Sequence, residues 1–157
     1  RQMCIRDSYY ADVTDTSLME HLGDKIGQFD VVVCGELIEH VANPGLMLKN
    51  IRTFLNSRGR LIVTTPNPWC YRRIRLMMAG CLEKSWLNKE HVAWYSYQTL
   101  CQILDRYGYK EVCYDFYRAE NPYEEGIKAK IKKKLLGIII REQRYLEDGL
   151  FFVAQKI

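Results

Sequence analysis

Apolar positions along the chain follow two alternating patterns. Short hydrophobic runs stop at Gly, Pro or acidic residues, and the stretches between them carry apolar residues three to four apart. The first run, Phe29–Cys34 (FDVVVC), is Val-rich, as a strand covered on both faces should be. Asn43 and Pro44 then read as a cap and a first-turn proline. The helix they open carries Leu46, Met47, Ile51, Phe54 and Leu55 on one side and should end before Gly59. Leu61–Thr65 (LIVTT) is a second strand, which Pro66 and Pro68 prevent from continuing. Strand, helix, strand predicts a parallel pair joined by a crossover, in a sheet with helices on both faces. Ligands of such sheets sit at the carboxyl ends of the strands. Chemistry is therefore expected around Cys34, Gly35 and Glu36, and around Thr65, Pro66 and Asn67.

The flanking chain continues the alternation. Tyr9–Val13 (YYADV) reads as the end of a strand with Asp12 and Asp15 at its carboxyl end. Ser17 caps a short helix through Leu18, Met19 and Leu22 that stops by Gly23 or Gly27. Residues 68–95 are longer than a crossover loop needs to be and read as an insertion. Its amphipathic piece sets Tyr71, Ile74 and Met78 opposite Arg72, Arg73 and Arg75. Ser96 caps a helix with Leu100, Ile103 and Leu104 inward, ended by Gly108. Lys110–Tyr117 alternates as a strand does, and Leu150–Ala154 is a closing strand. Residues 120–148 form a second insertion, with Ile127, Ile131, Leu135 and Ile138 at helical spacing, acids before lysines, and Gly126 and Gly137 weakening a continuous helix. Residues 1–8 have neither period and read as a non-native leader.

Composition narrows the class. A chain of 157 residues, 48% hydrophobic and 27% charged, is one globular domain's worth. No apolar stretch is long enough to span a bilayer and no apolar segment marks secretion, so the expected compartment is the cytoplasm. Six cysteines without C-x-x-C or metal-ligand spacing read as reduced, mostly buried thiols. The net charge of +4 is concentrated at Arg72, Arg73 and Arg75 and at Lys128–Lys134. No pattern of stacking aromatics accompanies those two segments, and nucleic acid is not expected as a partner.

The segments FDVVVCGELIEHV, GRLIVTTPNP and EHVAWYSYQTLCQILDRYGY, in this order and spacing, resemble class I S-adenosylmethionine-dependent methyltransferases, especially the group near the ubiquinone-biosynthesis O-methyltransferases. The resemblance covers roughly Tyr9–Tyr117 and the last strand. It implies an α/β fold, a Rossmann-like methyltransferase sheet of spatial order 3-2-1-4-5-7-6 with the last strand antiparallel. On this mapping YYADV is strand three, FDVVVC strand four, LIVTT strand five, VCYDF strand six and LFFVA strand seven. The first strands, and the G-x-G loop that follows strand one, are then lacking. Residues 9–157 look like the carboxyl-terminal two-thirds of a methyltransferase domain, with strand four left as an exposed edge. The implied activity is methyl transfer from S-adenosylmethionine to a small-molecule oxygen or nitrogen acceptor, with the chain as given expected to be inactive alone. A nucleotide-dependent oxidoreductase on a similar sheet and a non-catalytic partner domain are the alternatives.

The resemblance also implies site residues. Asp12 would accept from the adenine amino group while the Val13 amide meets a ring nitrogen; the plain alternative for Asp12 is a solvated turn acid. Cys34, Gly35 and Glu36 would line the methionine end, with Gly35 permitting close backbone approach, although Cys34 equally suits a small buried hydrophobe. His91 is the candidate general base for an acceptor hydroxyl, against a loop histidine bonded to backbone. Glu36, Glu39 and His40 form E-x-x-E-H, a spacing that puts all three on one face of a helical turn. Some quinone-pathway relatives hold a divalent metal with the corresponding residues, many keep L-E-H only to cap and pack the turn, and no metal is assigned here. Trp69, Trp86, Trp94 and Tyr95 suit either an acceptor pocket or the core. The lysine-rich segment suits peripheral contact with an anionic membrane surface, or a solvated helix face.

Overall fold

The computed structural model describes residues 8–81, 88–118 and 143–157. Trp86 and the lysine-rich helical pattern of residues 123–141 lie outside them. The described elements are α1 (Leu18–Ile26), β1 (Phe29–Gly35), α2 (Pro44–Phe54), β2 (Leu55–Pro66), α3 (Tyr71–Met78), α4 (Tyr97–Arg106), β3 (Tyr109–Tyr117) and β4 (Gly149–Lys156). A single 3-10 turn, Ile38–His40, separates β1 from α2.

Local chemistry accounts for the helix ends. The Asn43 side chain accepts from the Leu46 amide at 3.1 Å and Pro44 occupies the first turn. Ser96 and Thr99 form a reciprocal capping box on α4. Gly27 follows α1 at φ +66, a left-handed conformation that a side chain would oppose.

The four strands form one sheet in the order β1-β2-β4-β3. β1 and β2 are parallel, and β4 runs antiparallel to both β2 and β3. This is the order 4-5-7-6 implied by the resemblance, antiparallel last strand included. The regular β1–β2 ladder starts at Val31 and Arg60, close to the expected Leu61, while the strand itself begins at Leu55. An irregularity between Phe29 and Val31 explains the difference, with Arg58 in the left-handed region at φ +62.

The core lies on one face of this sheet. Leu61, Val63, Phe152 and Ala154 are buried there against Leu48 and Ile51 of α2 and Leu100 and Leu104 of α4. The opposite face of β1 carries Val31 and Val33, which are 47% and 66% exposed. Among the described residues no helix covers this face at β1, and the Val-rich strand is the edge of the described sheet, as the strand mapping implied.

Tyr9–Val13 is not a strand: residues 8–12 have no regular structure and Val13–Thr14 is a turn. A strand exists only where a neighbour takes its ladder bonds, and turn bonds satisfy this backbone instead. The Asp15 amide bonds Asp12 O at 3.0 Å, and Asp12 Oδ1 accepts from the Thr14 amide and hydroxyl. Asn50 of α2 ties the segment down by donating to Val13 O and Asp15 O, each at 2.8 Å. No described helix is long and apolar enough to cross a membrane.

Candidate active site

β1 delivers its last residues to the carboxyl end of the sheet. Cys34 is 5% exposed and its side chain joins the core, where burial pushes the thiol up to about 11. That side chain is a small hydrophobe, and any ligand contact at Cys34 falls to its backbone. Gly35 is exposed, and a Cβ there would meet only Thr64 Oγ1, at 3.6 Å.

Glu36 turns the chain sharply, at φ +49. Its amide bonds both Thr64 O at 3.0 Å and Thr64 Oγ1 at 3.1 Å, which holds the turn against β2. Its carboxylate accepts from the Tyr117 hydroxyl at 2.6 Å. Tyr117 reaches across from the far edge strand β3, over Gly149, where a Cβ would come within 2.2 Å of its ring. Burial and the bond to Glu36 both push the Tyr117 hydroxyl above its usual range, so it stays a donor.

Beyond this turn the carboxylates part company. Glu39 is 1% exposed and lies inside the molecule, where its Oε2 accepts from Thr65 Oγ1 at 3.1 Å. Its other oxygen, Oε1, is buried with no hydrogen-bond partner. The Glu39 carbonyl accepts from the Val92 amide at 2.8 Å and the Ala93 amide at 3.2 Å. Those two bonds dock the loop before α4 onto the turn, which brings His91 beside His40. The two imidazoles meet edge to face with centroids 4.7 Å apart, and His91 meets Trp94 at 5.3 Å. His40 Nδ1 is bonded to Glu90 O at 3.1 Å, and its Nε2 lies 3.9 Å from Glu39 Oε1. His91 Nδ1 is buried with no partner, and burial lowers the pKa of His91, which favours the neutral ring. One donor atom from each of Glu39, His40 and His91 lies within 4.8 Å of the others.

The structure therefore divides the E-x-x-E-H motif. Glu39 and His40 stay together, Glu36 turns away to Tyr117, and His91 takes the third place. Helical spacing misled here because the turn is three residues of 3-10 helix preceded by a left-handed residue. Sequence reasoning weighed His91 alone and missed Tyr117, and it named Thr65 only as the end of a strand, without its partner Glu39. A signal for His91 did exist: the tetrapeptide EHVA occurs at both 39–42 and 90–93, and the structure brings the two histidines together. Trp69 is 59% exposed and Tyr95 7% exposed. Trp69 lines an open pocket of about 380 Å3 with Asn67, Ile74, Tyr97, Phe116 and Tyr145.

A family profile described as a methyltransferase domain matches residues 5–114, a span that includes both strand tips and His91. The chain belongs to this methyltransferase family. Two curated relatives are ubiquinone biosynthesis O-methyltransferases. That of Aeromonas salmonicida is 40% identical over 48 residues, 31% of this chain and 20% of the relative. That of Azorhizobium caulinodans is 44% identical over 48 residues, 31% and 19% of the two chains. The matched segment thus spans about a fifth of either methyltransferase's length. Among solved structures, a SAM-dependent methyltransferase from Archaeoglobus fulgidus superposes with a TM-score of 0.59 at 16% identity, covering 94% of this chain and 66% of that one. One from Thermotoga maritima gives 0.59 at 16% identity, covering 94% and 62%. These likenesses show that the methyltransferase sheet is the fold of this chain.

Proposed function

We propose that residues 9–157 form the carboxyl-terminal two-thirds of an enzyme that transfers a methyl group from S-adenosylmethionine to an oxygen or nitrogen of a small molecule. The family match through both strand tips carries this reading. The tip of β1 fits the methionine end of that cofactor. Gly35 presents bare backbone, Cys34 withdraws its thiol into the core, and the exposed Glu36 carboxylate complements a cationic ligand. Asp12 and Val13 are the proposed adenine contacts. Both bonds from Thr14 fall on Asp12 Oδ1, and Asn50 holds Val13 through its carbonyl, which leaves the Val13 amide clear of that tie.

The cofactor supplies a methyl carbon made electrophilic by its sulfonium sulfur. The chain's own residues position the reactants and remove a proton, and positioning supplies much of the acceleration in such a displacement. His91 is the group suited to take the acceptor's proton, because burial favours its neutral form. The insertions at 68–95 and 120–148 are proposed as caps over the acceptor. The lysine-rich segment is proposed to touch anionic membrane from the cytoplasmic side. Sedimentation with anionic vesicles that is lost with neutral ones is the expected result.

The deciding experiment extends the reading frame upstream, expresses the longer protein and titrates S-adenosylmethionine by calorimetry. Binding, with S-adenosylhomocysteine formed in the presence of an acceptor panel, supports the reading. Binding of a nicotinamide dinucleotide instead identifies an oxidoreductase, and binding of neither cofactor identifies a partner domain.

A further inference from the structure

The three arginines of α3 do not share one environment. Arg72 and Arg75 are exposed, whereas Arg73 is half-buried and reaches the tip of β2. Its Nη1 donates to Asn67 O, and its guanidinium lies over the Trp94 indole, with Cζ 4.0 Å from the ring centroid. Trp94 in turn meets the His91 ring at 5.3 Å, so Arg73 and the proposed base flank one indole. The anchor is itself held: Asn67 is 2% exposed and donates to Tyr145 O and Glu147 O, each at 2.8 Å. Among the described residues no carboxylate forms an ion pair with Arg73, and Asp148 and Glu36 act on it only as longer-range fields. A half-buried guanidinium without a counter-ion is costly. Stacking on Trp94 uses the face of the group and leaves in-plane N–H donors for an anion.

We propose that Arg73 is the anion-recognition residue of the acceptor site, which makes the acceptor a small carboxylate with a flat apolar body. This names the substrate class of the methyl-transfer reading and rests on it. A planar guanidinium fixed by Asn67 O and Trp94 offers paired donors that match a carboxylate, as a mobile surface lysine does not. The pocket of about 380 Å3 begins beside it, since Asn67 and Ile74, the neighbour of Arg73 in α3, both line it. Trp69, Tyr97, Phe116 and Tyr145 give that pocket an aromatic wall, suited to a flat ring. A carboxylate on such a ring is costly to bring to an apolar pocket unpaired, and Arg73 supplies the partner. Charge thereby sorts the two reactants. Glu36, held by Tyr117, faces the cationic end of the cofactor in the proposed function, and Arg73 takes the anionic end of the acceptor.

The test titrates the 157-residue chain, without cofactor, with benzoate as the probe. In proton–nitrogen NMR, benzoate should shift the Arg73 Nε–H and Trp94 indole N–H signals saturably, at one site per chain. Acetate, which lacks the ring, should move the Arg73 signal with about 10-fold weaker affinity, and neutral benzyl alcohol should leave it in place. Arg73→Gln should weaken benzoate by about 10–100-fold. Arg75→Gln removes the same charge at an exposed position and should leave benzoate binding unchanged. Trp69→Ala should weaken benzoate by about 5–10-fold and acetate not at all. Where Arg73→Gln fails to fold, the signals of the unsubstituted chain with benzoate and benzyl alcohol still decide. Absence of a saturable Arg73 shift, equal binding of benzyl alcohol, or equal loss in Arg73→Gln and Arg75→Gln overturns the assignment. So does inorganic phosphate bound as tightly as benzoate. The probe is read without S-adenosylmethionine, so its failure would leave the methyl-transfer reading intact.

Discussion

Glu36 and Glu39 are three residues apart and chemically alike, yet they end in opposite environments. Glu36 is exposed, stands in a left-handed turn and accepts from Tyr117, which comes from the opposite edge of the sheet. Glu39 is buried, shares one oxygen with Thr65 and leaves the other unpaired beside two imidazoles. The first is stabilised by an ordinary solvent-facing contact. The second keeps a carboxylate where a neutral residue would be less costly. That contrast separates a residue that shapes the strand tip from one buried beside two imidazoles.

The largest test removes the hinge between the two environments. Ile38 is fully buried between them, and Ile38→Ala should destabilise the chain by about 2–5 kcal/mol in urea unfolding, with loss of both environments. A cost below about 1 kcal/mol would mean that the turn is held by its hydrogen bonds alone. Next, Gly149→Ala forces the Tyr117 ring aside and should cost about 1–3 kcal/mol. It frees Glu36 while leaving the Glu39 group unchanged, so the NMR signals of the His40 and His91 rings should stay where they are. Movement of those ring signals in Gly149→Ala would show that the two halves are one unit.

Glu39→Gln sharpens the contrast in the other direction. An amide keeps the Thr65 contact and is less costly to bury than a carboxylate, so the unfolding free energy in urea should rise by about 1 kcal/mol. A fall of that size would indicate that the surroundings of Glu39 favour the carboxylate over the amide. The smallest effect belongs to the bare edge: Val33→Thr, at a 66% exposed site, should change stability by less than about 0.5 kcal/mol. A larger loss would mean that something covers β1 in solution, and concentration-dependent sedimentation would detect it.

Most of the frame was legible in the sequence because each element declares itself locally. Asn43-Pro44 and Ser96 mark helix starts through bonds made within one turn, and FDVVVC and LIVTT are bounded by residues that cannot extend a ladder. The strand order and the antiparallel β4 followed from the resemblance, and the sheet reproduces them. Tyr9–Val13 failed because its strand-like composition is worth little without a neighbour, and its short polar residues found local turn bonds.

The site was legible only in part. Sequence fixed Cys34 and Gly35 at a strand tip, since alternation along β1 sets which residues lie there and which face each takes. It also singled out Glu39, His40 and His91 as candidates. Tertiary structure alone decided their company. Residue spacing predicts a shared face only while backbone geometry stays regular, and the φ of +49 at Glu36 broke that regularity. His91 reached Glu39 through two backbone bonds across about fifty residues of sequence, from the Val92 and Ala93 amides to the Glu39 carbonyl. Backbone donors and acceptors are the same at every position, so no side-chain pattern announces such a contact.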